Sequence, residues 1–372
     1  FNFKIMSDKK FYTFFDCGFS KIRAGTFNND QDVFFVESEF IKDRTNLELK
    51  IKEIIVSLEN NNDEYINSVN LMLDSSKMIS IGISLSKKLD GTKLKKENIK
   101  FLVQEAKQQI LQYYTNHNIA HIIINNYKID GTDHCSLPEE KECHFIVLDM
   151  LFICLPTDLI LYFKDIFSKS NILIDQIICS SYAKSIYYKN NLNLSGPVSF
   201  IDVGFSKTSI ISYLNEKIIA INVLPIGGNH ITKDISKILE IDMNNSEQAK
   251  LSFNQNSKIL NEHNGSSDIL QKIIFARTEE IFELCNESIK SNLFLTDKLK
   301  MVLTGEGSKI FNKRYKDKIS FPNDTDFLEE TLEDICQSGF RFISEPNELE
   351  VLIVPKKTIK QGFFEKFFHL FR

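Results

Sequence analysis

Between residues 11 and 36 short apolar runs alternate with polar turns, and the spacing predicts strands at Phe11–Phe15, Lys21–Phe27 and Val33–Val36. The period then lengthens. Leu47–Leu58 carries apolar residues three and four apart and reads as a helix, followed by the polar loop ENNNDEYIN. From about Ser75 to Cys154 the pattern is mixed: KMISIGISL, AHIIINNYKI and CHFIVLDMLFICL read as strands and ENIKFLVQEAKQQILQYY as a helix, which together make a small α+β unit. Pro156–Ser170 returns to helical spacing and Ile172–Ile178 to a strand. A second group of strands begins near Pro197, with Asn254–Asp268 as a polar loop and Met301–Thr304 as a buried strand.

The last ten residues hold five phenylalanines. On a helix of about 100° per residue, Phe363, Phe364, Phe367, Phe368, Leu370 and Phe371 share an arc of roughly 160°, while Glu365, Lys366, His369 and Arg372 take the other side. The tether before it, Pro355 to Lys360, is polar and basic, and from Pro355 onward five basic residues face one acidic residue. An aromatic face with a basic flank suits the boundary between lipid headgroups and acyl chains. One copy would bind weakly and reversibly, and polymerisation would add avidity.

Composition narrows the class. With 372 residues, 42% of them hydrophobic, and a net charge of -5, the chain supports two packed domains or one elaborated two-lobed fold. No apolar run approaches the roughly 20 residues of a membrane-spanning helix, and the first residues lack the ordered regions of a signal peptide. Seven cysteines without a C-x-x-C pair favour reduced thiols. His134-Cys135 and Cys143-His144 have the wrong spacing for one tetrahedral zinc ion. Basic residues cluster only in the tail, so nucleic acid is not an expected partner. A Ser-His-Asp or Cys-His hydrolase has no supporting elbow.

The strongest internal signal is a repeat. KFYTFFDCGFSKIRAGTF and VSFIDVGFSKTSIISYL each run strand, Asp-x-Gly-Phe-Ser-Lys, strand, with Asp16 and Asp202 at equivalent positions. In such a hairpin glycine lets backbone N–H groups approach phosphate oxygens, the hydroxyl and lysine add donors, and the aspartate can hold a metal or its water. Two facing hairpins would grip a nucleoside polyphosphate. A third element, the turn Gly305-Glu306-Gly307-Ser308 after a strand, could lie flat against a base or ribose.

Two Asp-x-Gly hairpins separated by an insert and followed by a glycine turn resemble the actin/Hsp70/sugar kinase superfamily. Val223–Leu239 (VLPIGGNHITKDISKIL), Ser246–Lys250 (SEQAK), Ala276–Leu284 (ARTEEIFEL) and the aromatic tail are similar to the FtsA family of bacterial cell division proteins. The resemblance runs from about Phe11 to Arg372. It implies an α/β, two-lobed actin-like ATPase fold with an inserted α+β subdomain and a C-terminal amphipathic helix. The implied segments are residues 9–74 and 155–195 for the first lobe, 75–154 for the insert, 196–345 for the second lobe, 346–360 for a linker and 361–372 for the membrane helix.

By the same resemblance ATP and Mg²⁺ are the cofactors. Asp16, Gly18, Ser20, Lys21, Asp202, Gly204 and Thr208 line the phosphates, with Asp16 and Asp202 holding the metal through water; Glu247, Lys250, Gly305 and Gly307 meet the nucleoside. Arg277 and Glu280 would contact the acidic C-terminal tail of FtsZ, although alone they read as an i, i+3 surface ion pair worth a few tenths of a kcal/mol. Further implied partners are other copies in a filament, inner-membrane lipids and later divisome proteins, at the cytoplasmic face of the division septum. The chain departs from the family pattern at Phe205 and Ser206 (glycines), Ser209 (Asp), Glu306 (glycine) and Ser180 (Glu before Pro), and no catalytic residue is assigned. The rival readings are a working ATPase or sugar kinase and a pilus-assembly adaptor, both on the same scaffold.

Overall fold

A computed structural model describes residues 11–28, 33–37, 46–214, 216–255, 264–292, 299–311, 324–345 and 350–351. The chain opens with an antiparallel meander, β1 (Phe11–Cys17), β2 (Ile22–Asn28) and β3 (Val33–Glu37), followed by α1 (Leu47–Asn62) and β4 (Ser68–Leu73). An insert follows: β5 (Ile79–Lys93), α2 (Lys96–Tyr113), β6 (His117–Ile129), β7 (Thr132–His134) and β8 (Glu142–Pro156). Then α3 (Thr157–Lys169), β9 (Leu173–Cys179) and α4 (Ser180–Asn191) lead to a second meander, β10 (Val198–Val203), β11 (Thr208–Leu214) and β12 (Lys217–Leu224). After it come α5 (Gly228–Leu239), α6 (Met243–Gln255), α7 (Asn264–Asn292), β13 (Lys300–Thr304), a 3-10 helix (Glu306–Phe311), β14 (Thr325–Phe327) and α8 (Leu332–Ser344).

The strands form three sheets, ordered β3-β2-β1-β4-β9, β12-β11-β10-β13-β14 and β5-β8-β6-β7. The first two have one plan: three antiparallel strands continued by two parallel ones. This duplicated plan is the actin-like ATPase fold expected from the two hairpins.

The central strand β1 is buried on both faces, which explains why FYTFFDC lacks the alternation of a half-exposed strand. Phe15 meets Phe167 of α3 edge-on at 5.2 Å on one side, and Phe14 meets Phe340 of α8 at 6.2 Å on the other. Each fully buried Phe contributes about 1.5–3 kcal/mol. α8 therefore follows the second sheet in sequence yet packs on the first, so the span 196–345 contains one helix that lies with the first lobe. One core unites the lobes, since Phe15, Tyr182, Phe200, Tyr213 and Val302 belong to the same buried cluster. The insert has its own core, between α2 and its sheet.

Two sequence boundaries move. α1 continues to Asn62, four residues into the predicted loop, and ends where Asp63 adopts φ 50°; Asn61 supports the added turn by donating its side-chain amide to the Ser57 carbonyl at 2.7 Å. The predicted loop at Asn254–Asp268 is bounded by α6 to Gln255 and α7 from Asn264, with residues 256–263 outside those described.

Candidate functional site

The two Asp-x-Gly hairpins sit at matching registers. Asp16 is opposite Arg23 on β2 and Met72 on the parallel strand β4; Asp202 is opposite Ser209 on β11 and Thr304 on the parallel strand β13. Two residues beyond each parallel partner stands a carboxylate, Asp74 in the first lobe and Glu306 in the second. The lobes exchange these groups. Lys207 of the second hairpin donates to Asp74 at 2.9 Å, while Lys21 of the first lies 3.8 Å from Glu306. Arg23 adds a second bond to Glu306 at 3.2 Å and pairs with Asp16 at 3.4 Å, and Lys309 holds the other Glu306 oxygen at 3.1 Å.

A buried lysine joins the lobes deeper in the cleft. Lys184 on α4 places Nζ 2.7 Å from Asp202 and 3.1 Å from Glu330 at the foot of α8. Burial alone would lower its pKa, but Asp202, Glu330 and Asp16 outweigh burial and raise it above the ordinary lysine value. Burial would likewise raise Asp202; Lys184, Lys207 and Arg23 hold it below the ordinary range instead. Glu330 shares the same ammonium and also accepts from Tyr188 and Thr304, and burial leaves its pKa raised. Asp16 accepts from Ser180 at 2.7 Å, so the serine at the departed Glu position binds the first aspartate directly.

The glycines mark close approaches of backbone to backbone. Gly305 has φ +91°, and a Cβ there would lie 2.3 Å from Asp202 Oδ1. At Gly227 it would lie 2.5 Å from the Gly204 carbonyl, and at Gly307 2.8 Å from the Val203 carbonyl. The first amides of α5 are already used: Gly228 N–H donates to Gly204 O at 3.0 Å and Asn229 N–H to Phe205 O at 2.7 Å. In kind, this donor set suits a triphosphate with a hydrated divalent cation: hairpin lysines, a serine, glycine turns that let backbone approach closely, and two opposed aspartates. In this conformation the chain satisfies those groups itself.

Asp16, Gly18, Ser20, Lys21, Asp202 and Gly204 belong to the paired hairpins, and Gly305 and Gly307 pack against β10 beside them. Thr208 does not reach the cleft surface; it is fully buried and donates to the Ile226 carbonyl at 2.8 Å. Glu247 and Lys250 pair with each other at 2.7 Å, and the lysine also donates to Gly228 O at 3.1 Å and to Thr232, which ties α6 to the start of α5. Sequence reasoning missed Asp74, Lys184 and Glu330. The repeat could have found Asp74, the positional counterpart of Glu306; isolated residues such as Lys184 carry no motif.

On α7 Arg277 donates from Nε to Asp234 of α5 and from Nη1 to Glu280, each at 2.6 Å. Side-chain hydrogen bonding to Asp234 raises its pKa, so the guanidinium stays charged. The tail residues Phe363, Phe364, Phe367, Phe368, Leu370 and Phe371 lie outside the described residues. Among the described residues no helix is long and apolar enough to cross a membrane.

Comparison with known proteins agrees with this geometry. A family model described as cell division protein FtsA matches residues 199–281, from the second hairpin to just beyond Arg277. Cell division protein FtsA of Buchnera aphidicola (from Acyrthosiphon pisum) is 24% identical over 355 residues, covering 82% of each chain. That of Borreliella burgdorferi is 22% identical over 299 residues, 69% of this chain and 70% of the other. Among solved structures, a PilM-PilN type IV pilus biogenesis complex superposes with a TM-score of 0.65 at 11% identity, over 90% of this chain and 99% of that one, a likeness of fold alone. The duplicated sheets, the matched hairpins and these relatives together make the chain similar to the FtsA family of cell division proteins.

Proposed function

We propose that the chain is a division-site adaptor, which polymerises on an actin-like scaffold, holds FtsZ filaments by their acidic tails, and ties them to the cytoplasmic face of the inner membrane through residues 361–372. The observation that carries the reading is the family match through residues 199–281, the segment that includes Arg277 and Glu280. A half-exposed guanidinium between two carboxylates can exchange one of them for a carboxylate of a partner peptide. Later divisome proteins would join the same assembly.

ATP with Mg²⁺ is the ligand this reading assigns to the cleft. Ser20, Lys21, Lys207 and the hairpin amides would hold phosphate oxygens, Asp16 and Asp202 the waters of the metal, and Gly305 and Gly307 would lie by the nucleoside. The bound cation would supply neutralisation of phosphate charge. No general base is assigned, because Asp16 and Asp202 are both engaged in ion pairs. The rival ATPase requires steady turnover that disappears in Asp202→Ala.

The adaptor is tested on anionic liposomes with FtsZ added. Arg277→Glu should stay with the liposomes while recruiting at least about tenfold less FtsZ, as expected for loss of a charge-assisted contact of 1.4 kcal/mol or more. Phe367→Glu with Phe371→Glu should leave the liposomes but still bind the FtsZ tail peptide in solution. Undiminished recruitment by Arg277→Glu, or liposome retention of the double variant, removes that residue set from the proposal.

A further inference from the structure

The cleft contains its own counter-ions. Lys21 and Arg23, cations from the first lobe, end on Glu306 of the second; Lys207, from the second lobe, ends on Asp74 of the first. Lys184, carried by a first-lobe helix, ends on Asp202 and Glu330. The bonds of Lys21 and Arg23 to Glu306, of Lys207 to Asp74 and of Lys184 to Asp202 cross from one lobe to the other, and the two hairpin lysines do so reciprocally, at positions equivalent in the repeat. We propose that Glu306 and Lys184 are built-in substitutes for ligand charge, which latch the lobes closed without nucleotide: Glu306 engages the cations a phosphate would need, and Lys184 the carboxylates a hydrated divalent cation would need.

Glu306 is one of the chain's departures from the family pattern. Glu306 stands in the turn between Gly305 and Gly307, whose Cβ-less backbone packs directly on Val203, so its side chain projects from a fixed base toward the first hairpin. Its carboxylate draws three cations from two lobes; Arg23 is buried, so its bond to Glu306 is screened less than a surface ion pair, while Lys21 and Lys309 are partly exposed. The shared hydrophobic core behind α4 holds the lobes together at the back, so the ion pairs need only close the front.

A nucleotide must therefore displace Glu306 to reach Lys21 and Arg23, and affinity becomes a competition between an external phosphate and an internal carboxylate. This inference rests on the reading of the cleft as a nucleotide site, and a lobe-separation measurement without nucleotide separates the two. Spin labels are placed on the full chain at Glu53→Cys on α1 and Glu279→Cys on α7, both exposed, with the exposed Cys135 changed to Ser. Interlabel distances are compared for this protein and for its Glu306→Gln and Glu306→Gly forms, and ATP binding with Mg²⁺ is measured on each by calorimetry. Glu306 is partly exposed, so both variants should fold, and a thermal melt verifies it.

The latch predicts one narrow distance for the parent without nucleotide, a longer and broader distribution for both variants, and ATP binding about tenfold tighter in Glu306→Gly than in the parent. Opening without ATP binding by any form would uphold the latch and remove ATP as the ligand of the cleft. Unchanged distances in both variants would overturn the latch, whatever ATP does.

Discussion

Asp202 and Glu306 are held below the ordinary carboxylate range by the cations around them, against the opposing effect of burial, while Lys207 is held above the ordinary lysine range by Asp74 and Asp202. The signs set a pH window. A carboxylate with a depressed folded pKa stabilises the protein above its unfolded value, about 4, and loses that contribution as pH falls through the folded value. A lysine with a raised folded pKa stabilises below about 10.5 and loses that contribution only as pH rises through its still higher folded value. The cross-lobe pairs should thus give a melting temperature that is flat between about pH 6 and 9 and falls below about pH 4.5. Calorimetric melts across that range check it, and the acid fall should be smaller in Glu306→Gln. A fall centred near pH 6.5 would point to a histidine instead. At this scale the sequence displayed Asp16, Gly18, Lys21 and their repeats because spacing repeats. It hid Lys184 and Glu330 because their meaning comes only from the neighbours the fold brings to them. Thr208 shows the opposite case: its position in the motif suggested the cleft, but an inward-facing β11 residue carries it under the hairpin.

Among the elements, those with a clear period were legible: β1, β2, the helix α2 and the insert strands β6 and β8 lie within a few residues of their predicted bounds, while β5 runs eight residues past its predicted end at Leu85. α4 was not, because it is a helix caught between two sheets, buried at Ser181, Tyr182, Ala183, Ser185 and Tyr188, and shows no polar stripe. α8 was not singled out in the sequence, and its return to the first lobe depends on Gly339, where a Cβ would come within 2.9 Å of Phe14. The turn between β13 and the 3-10 helix is the most constrained element of the cleft. Gly305→Ala would demand φ +91° of a residue with a Cβ and drive that carbon toward the Val203 carbonyl at 2.6 Å. A loss of about 2 kcal/mol or more is expected, read from the urea midpoint. An unchanged midpoint would mean that the turn relaxes away from β10, and the packing argument for Gly305 and Gly307 would fall.

Over the whole molecule, insert, first lobe and C-terminal segment meet at a single buried histidine. His121 on β6 accepts the Cys179 N–H at Nε2 at 2.8 Å, which fixes the proton on Nδ1, and Nδ1 then donates to Glu350 at 2.6 Å. Tyr182 of α4 donates to the other Glu350 oxygen at 3.0 Å, and Val351 N–H donates to Ile122 O at 2.8 Å, extending the edge of β6. The chain is therefore fastened to the junction of insert and first lobe just before it enters the basic tether. Neither Glu350 nor His121 stood out in the sequence, because their 229-residue separation carries no periodic signal. Glu350→Ala would take the acceptor from two buried donors at once, at about 1–3 kcal/mol for each group, while Glu350→Gln keeps one acceptor oxygen and should lose about half as much. The expected result is a lowered melting temperature in the order parent, Gln, Ala, with faster hydrogen exchange along β6 around Ile122 and Ile123 in the Ala form. Liposome binding below the melting transition should not change, because the lipid-facing phenylalanines proposed for residues 363–371 lie beyond the clasp. A Glu350→Ala protein that melts with the parent but leaves the liposomes would reverse this assignment, making Glu350 part of the membrane attachment rather than of the joint that holds insert to lobe.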